Sequence, residues 1–254
     1  MSSDPAPPID ARVGNVRFSS SGRGANPRVR VHHVARALAI LKRSHPDAAC
    51  ALDHTHPLEL LVATVLAAQC TDARVNQVTQ ALFKKYRTAG DYAQASLPTL
   101  EREIHSTGFY TAKAKALKGI GEALVKRFNG RVPRTMEELT SLPGVGRKTA
   151  NVVLGVSFGI PGIIVDTHVK RLAYRLGWTS STDPEKIEQD LMPLVSRRQW
   201  TRASHLITFH GRRVCRARTP ECHRCPIAGL CPKRGIPKAT PEKRGSAAKT
   251  GGSP

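Results

Sequence analysis

Apolar residues recur every three or four positions along most of residues 31–214, the spacing of one helical face. VHHVARALAILKRSH (31–45) predicts an amphipathic helix. PLELLVATVLAAQ (57–69) opens on Pro57, a favourable first helical position, and is apolar on nearly every side, as a central helix is. DARVNQVTQALFKKY (72–86) follows Thr71, a predicted cap. PTLEREIHST (98–107) and TAKAKALKGIGEALVKRF (111–128) continue the series. Thr135 and Glu138 fit a capping box ahead of a short helix. RKTANVVLGVSF (147–158), THVKRLAYRLGW (167–178), DPEKIEQDLMPLV (183–195) and WTRASHLITFHGRRV (200–214) complete it. Sustained apolar–polar alternation is missing. GIIV (162–165) reads as a candidate short strand, too brief to found a sheet. The expected class is all-α, with about ten helices and no internal repeat of 20–50 residues.

Both ends break the pattern. Residues 1–30 and 233–254 are rich in Pro, Gly and Ser and predict basic, disordered tails. The charge does not reside only there. The chain carries a formal +21, and residues 31–231 alone hold 29 basic against 16 acidic residues. A globular body that basic suits a polyanion, and nucleic acid is the expected partner. Residues 1–30 lack the apolar stretch of a secretory signal, and no apolar run is long enough to span a bilayer. The expected location is a reducing cytoplasm, at the nucleoid, with no membrane partner.

Residues 135–158 read as helix, Pro-Gly-x-Gly turn, helix. Gly144 and Gly146 permit a sharp turn and close approach, and the amides of such a turn point outward as an anion nest to which Arg147 adds charge. The alternative is a tight connection with glycines for steric reasons. Lys148 then lies at the start of a helix, where the dipole repels a cation. Two uses fit: a lysine wanted neutral, as a nucleophile toward an electrophilic carbon, with partial burial assisting; or a protonated phosphate contact. The residues alone leave both open.

Four of the six cysteines fall in CRARTPECHRCPIAGLCP, as Cys215-x6-Cys222-x2-Cys225-x5-Cys231. In a cytosolic chain this density implies metal. Only one pair is short, and two cysteines precede prolines, so the spacing favours a [4Fe-4S] cluster over zinc. His223 is read as a bystander, and Cys50 and Cys70 as plain core residues.

LPGVGRKTANVVL (142–154), then VDTHVKRL with Asp166 eighteen residues after Lys148, then the cysteine array, together resemble the endonuclease III family. LAAQCTD (66–72) and TGFYTAKAKAL (107–117) match further segments, and the likeness covers roughly residues 31–232. It implies a two-lobed helix-hairpin-helix DNA glycosylase fold: a six-helix lobe (50–160) and a cluster lobe (31–49 with 161–232), with the active site between them. It implies a bifunctional base-excision enzyme that removes oxidised pyrimidines and nicks the abasic site by β-elimination, acting as a monomer on double-stranded DNA. By the same likeness Lys148 is the nucleophile and Asp166 the catalytic carboxylate, and Asp166 also fits a helix cap. Gln69 aligns with the residue that fills the gap left by an extruded nucleotide. Phe109 aligns with the wedge beside it, where the family usually has an aliphatic residue. Gly144, Gly146, Arg147, Arg216 and Arg218 are expected on the DNA backbone, and Cys215, Cys222, Cys225 and Cys231 on the [4Fe-4S] cluster. The nearest rival, the adenine-specific mismatch glycosylase, lacks the lysine and carries a large C-terminal domain. A non-catalytic DNA-binding module would need neither Lys148 nor Asp166, and a zinc-stapled scaffold would be colourless.

Overall fold

A computed structural model describes residues 27–236, with side chains from residue 31 onward. The tails expected to be disordered lie almost wholly outside these residues. Among the described residues there are eleven α-helices and no strand. They are α1 (Pro27–Ser44), α2 (Pro57–Leu66), α3 (Asp72–Lys85), α4 (Ala89–Gln94), α5 (Leu97–Ile104), α6 (Tyr110–Phe128), α7 (Met136–Thr140), α8 (Arg147–Ser157), α9 (Thr167–Arg175), α10 (Pro184–Leu191) and α11 (Trp200–Arg213).

Two differences from expectation stand out. The extra helix is α4, opened by a complete capping box between Thr88 and Asp91. At six residues it is too short to display a period. The candidate strand at 162–165 is an extended connection instead. It runs between α8 and α9 with no partner strand, and its Ile164 amide donates to Ser204 Oγ at 2.9 Å.

Apolar surface is buried in two cores. The first gathers α2 through α8 around the central α2, where eight of ten residues are buried, as expected from its all-round apolar sequence. Close backbone approach sets its geometry: a Cβ on Gly121 of α6 would lie 2.5 Å from the Ala93 amide nitrogen of α4. The second core joins α1 to α9, α10 and α11 through Leu41, Leu172, Leu206 and Ile207, with Trp178 beside them. The cores meet where α8 packs on α11. Gly155 makes this possible, since a Cβ there would lie 2.4 Å from Thr201 Oγ1. Two ion pairs also cross the join, Arg147–Glu188 at 2.7 Å and Arg212–Asp72 at 2.7 Å.

Candidate active site and DNA-facing surface

An open cleft of about 570 Å³ lies between the cores. Its first wall comes from residues 49–52 ahead of α2 and from α2, α3 and α8, and includes Cys50, Asp72 and Lys148. Its second includes Asp166, His205, Thr208 and Arg212. Residues far apart in sequence thus converge on one space.

Lys148 stands in the first turn of α8, exposed at the cleft surface. The partial burial expected for it is not found. The α8 N-terminus carries no acid of its own and no side-chain cap. Its missing negative charge arrives from another helix. The Arg147 guanidinium grips the nearly buried Glu188 carboxylate of α10 through Nε at 2.7 Å and Nη2 at 3.0 Å. Arg147 therefore straps the two cores together, its guanidinium engaged with Glu188. Gly144 does turn the chain in the left-handed region, with φ 71°. Gly146 adopts ordinary extended backbone, and a Cβ there would meet open space.

Asp166 is half-buried and uses both carboxylate oxygens. Oδ1 caps α9 by accepting the Val169 amide at 2.7 Å, and Oδ2 accepts the Thr208 hydroxyl at 3.0 Å. Burial, with Arg202 next, pushes His205 below the usual histidine range while Asp166 pulls it back, so His205 lines the cleft neutral near pH 7. Thr208, His205 and Arg212 are absent from the sequence reading. Their signal in the sequence is a polar stripe along α11, at spacings of three and four residues. Cys50 lines the cleft and is only partly buried. Cys70, also partly buried, packs against the first core beside Gln69.

Gln69 and Phe109 share a backbone anomaly. Among the described residues four non-glycines have positive φ, and these two are among them, at 53° and 50°. Asn129, a third, is the C-cap of α6 and a residue type that tolerates the region. Phenylalanine does not, and this one is 64% exposed.

The cysteine loop closes on itself beside α9 and α11. Arg175 of α9 is buried and donates to the carbonyls of Arg216 and Ala217, each at 2.7 Å, and to Cys215 Sγ at 3.2 Å. His210 of α11 contacts Cys225 Sγ at 3.4 Å through Nε2 and His45, just past the end of α1, at 3.1 Å through Nδ1. Burial lowers the His210 pKa to about 4. Arg216 and Arg218 are exposed, and Arg216 lies 3.4 Å from Glu221, which also pairs with Arg224.

The donor geometry distinguishes the candidate metals. Zinc needs its thiolates about 2.3 Å from a single point. Among the described residues no three Cys, His, Asp or Glu side chains converge to hold one ion. The four cysteines instead line one shared pocket, and four thiolates on one loop suit a polynuclear cluster. Burial and the neighbouring thiols push Cys225 and Cys231 above the usual thiol range, so their thiolates depend on a cation among them.

Comparison with known proteins agrees with this geometry. Residues 62–197 match the HhH-GPD superfamily of base excision DNA repair proteins. Residues 215–231 match the iron-sulfur binding domain of endonuclease III. Endonuclease III of Synechocystis sp. is 54% identical over 196 residues, which are 77% of this chain and 90% of that protein. The chain belongs to the endonuclease III family. Endonuclease III of Bacillus subtilis is 46% identical, covering 73% of this chain and 85% of its own. A trapped endonuclease III–DNA covalent intermediate, described as an estranged-adenine complex, superposes with a TM-score of 0.77 at 45% identity, covering 80% of this chain and 96% of its own. This endonuclease III family member is a base-excision repair DNA glycosylase and abasic-site lyase, and its cysteine loop holds a [4Fe-4S] cluster.

Proposed function

We propose that this enzyme removes oxidised pyrimidines from double-stranded DNA and cuts the resulting abasic site, with Lys148 as nucleophile and Asp166 as the catalytic carboxylate. The observation that carries this reading is their convergence. Lys148 on α8 and Asp166 at the start of α9 line one cleft from the two cores. The two lobes, 50–160 and 31–49 with 161–232, grip the duplex from either side, and the protein acts as a monomer at the nucleoid.

A base inside the stack is out of reach, so the lesion must leave it. Gln69 fills the vacated space and Phe109 wedges the neighbouring stack. Lys148, as the free amine, forms a bond from Nζ to the sugar C1′ while the C1′–base bond breaks. The electron pair departs with the base, which gains a proton. Asp166 stabilises the positive charge that develops on the sugar. Loss of the amine proton and ring opening give an iminium between Nζ and C1′. Removal of a C2′ proton then expels the 3′-phosphate, and water later frees the lysine. The exposure of Lys148 gives the sugar access to its amine. The thiols of Cys215, Cys222, Cys225 and Cys231 hold the [4Fe-4S] cluster, whose role is to hold the loop that presents Arg216 and Arg218 to phosphates. The amides after Gly144 and Gly146 face the backbone at the hairpin.

Borohydride trapping tests the assignment. Wild-type protein mixed with an abasic-site duplex and borohydride gives a covalent adduct. Lys148→Gln gives none and no nicking, with duplex affinity retained. Nicking by that variant at the wild-type rate would remove Lys148 from the reaction. A panel of oxidised pyrimidine and purine duplexes checks the substrate class.

A further inference from the structure

Two turns of the DNA-facing surface meet on one buried cation. Lys113, in the first turn of α6, is 5% exposed. Its Nζ donates to the carbonyls of Leu66 and Thr107, both at 2.8 Å. Leu66 ends α2, so its carbonyl is among those the helix itself leaves unpaired. Thr107 ends the 3₁₀ turn that follows α5. Each carbonyl is therefore the negative end of a helical segment, where a cation is favoured. A buried ammonium is costly unless its protons are accepted. Here two helix ends accept two of its three protons, and neither acceptor is a carboxylate. Burial lowers the Lys113 pKa, with Cys70 nearby pulling the other way.

The two pinned carbonyls have a common sequel. Gln69 follows Leu66 by three residues and Phe109 follows Thr107 by two, and each then enters the left-handed region. Between Thr107 and Phe109, Gly108 adopts φ 70° and ψ 158°, a conformation open essentially to glycine alone. Two residues held in conformations they would ordinarily leave need surroundings that fix them. Capping the end of α2 would occupy only one of the two bonds. The second ties that end to the turn before Phe109.

We propose that Lys113 is a positioning residue for nucleotide extrusion. Its ammonium locks the turn at 66–69 to the turn at 107–109, so that the Gln69 and Phe109 side chains stand at a set separation before DNA arrives. This rests on the reading of those residues as gap filler and wedge.

The test separates extrusion from chemistry. One substrate is a duplex with a ring-oxidised thymine opposite 2-aminopurine, whose fluorescence rises as its partner leaves. The other is a single strand with one abasic site, which needs no extrusion. Lys113→Met removes the donors and keeps an apolar stem. The fluorescence rise should slow by about tenfold to a hundredfold, the scale set by misplacing a positioning group. Cutting of the single strand should stay at the wild-type rate. Wild-type extrusion in a folded variant overturns the inference, and so does an equal loss on both substrates. Should Lys113→Met fail to fold, by melting and cluster absorbance, Lys113→Arg decides. It keeps donors in a different geometry, and the inference requires a greater loss on the duplex than on the single strand. Gln69→Ala and Phe109→Ala run alongside. If both extrude normally, the reading of these residues falls and takes the inference with it. If they slow extrusion and Lys113→Met does not, the inference alone falls.

Discussion

Asp166 divides its carboxylate between a helix end and the cleft, and the two uses can be pulled apart. Asn caps about as well as Asp, so Asp166→Asn keeps the bond from the Val169 amide. The Thr208 hydroxyl can rotate to accept from the new amide. Stability should therefore hold, while loss of the charge that supports the developing cation should lower single-turnover base removal about a hundredfold or more. Thermal melting and a rate on one lesion duplex check this; an unchanged rate in a stable variant leaves Asp166 a cap only. At this scale the sequence singles out Lys148 and Asp166 because each departs from a local rule or occupies a recognisable motif, and the fold brings both to one cleft. The Arg147–Glu188 pair was not, because its partners lie 41 residues apart and only the folded chain joins them. The left-handed backbone at Gln69 and Phe109 was equally invisible, since neither residue type announces it.

Among the elements, long amphipathic helices were read with small errors at their ends. Residues 57–69 were expected to be helical throughout, but α2 stops at Leu66 so that the chain can turn into Gln69. α4 escaped notice because six residues with two buried side chains show no period. Its capping box uses Asp91 in place of the Glu or Gln usually sought. α4 is nonetheless where α6 is packed most closely. At Gly121 a methyl group would meet the Ala93 amide at 2.5 Å and the Ala89 carbonyl at 2.7 Å, both backbone atoms that cannot swing aside. Gly121→Ala should cost about 1–3 kcal/mol through overpacking, despite alanine's better helix propensity. Urea or thermal unfolding measures it, and a stabilised variant would show that α4 yields.

Over the whole molecule, charge composition correctly pointed to a polyanion but did not say which side chains meet it. Arg216 and Arg218 are both exposed on the cysteine loop, yet Arg216 has Glu221 at 3.4 Å and Arg218 has no ion pair among those described. A full phosphate contact contributes about 0.9 to the slope of log affinity against log salt. Arg218→Ala should therefore flatten the slope by about 0.9, and Arg216→Ala by less, because binding must first release Glu221. Damaged and undamaged duplex should lose affinity alike. A salt titration with both duplexes decides, and an unchanged slope in the double variant would remove the loop from the backbone contact. The family likeness alone implies two lobes, because no composition shift marks where the chain passes from one core to the other.

The left-handed Phe109 sets the free molecule against its own durability. A non-glycine residue there costs about 1–2 kcal/mol, of which glycine would recover part after its larger entropy loss on folding. With its ring 64% exposed, little packing would be forfeited. Phe109→Gly should thus melt about 1–3 °C above the wild type, while extruding nucleotides more slowly. Selection for heat resistance alone would erode this residue, and selection for repair would restore it. An engineered thermostable form should therefore leave position 109 untouched and seek its gains elsewhere.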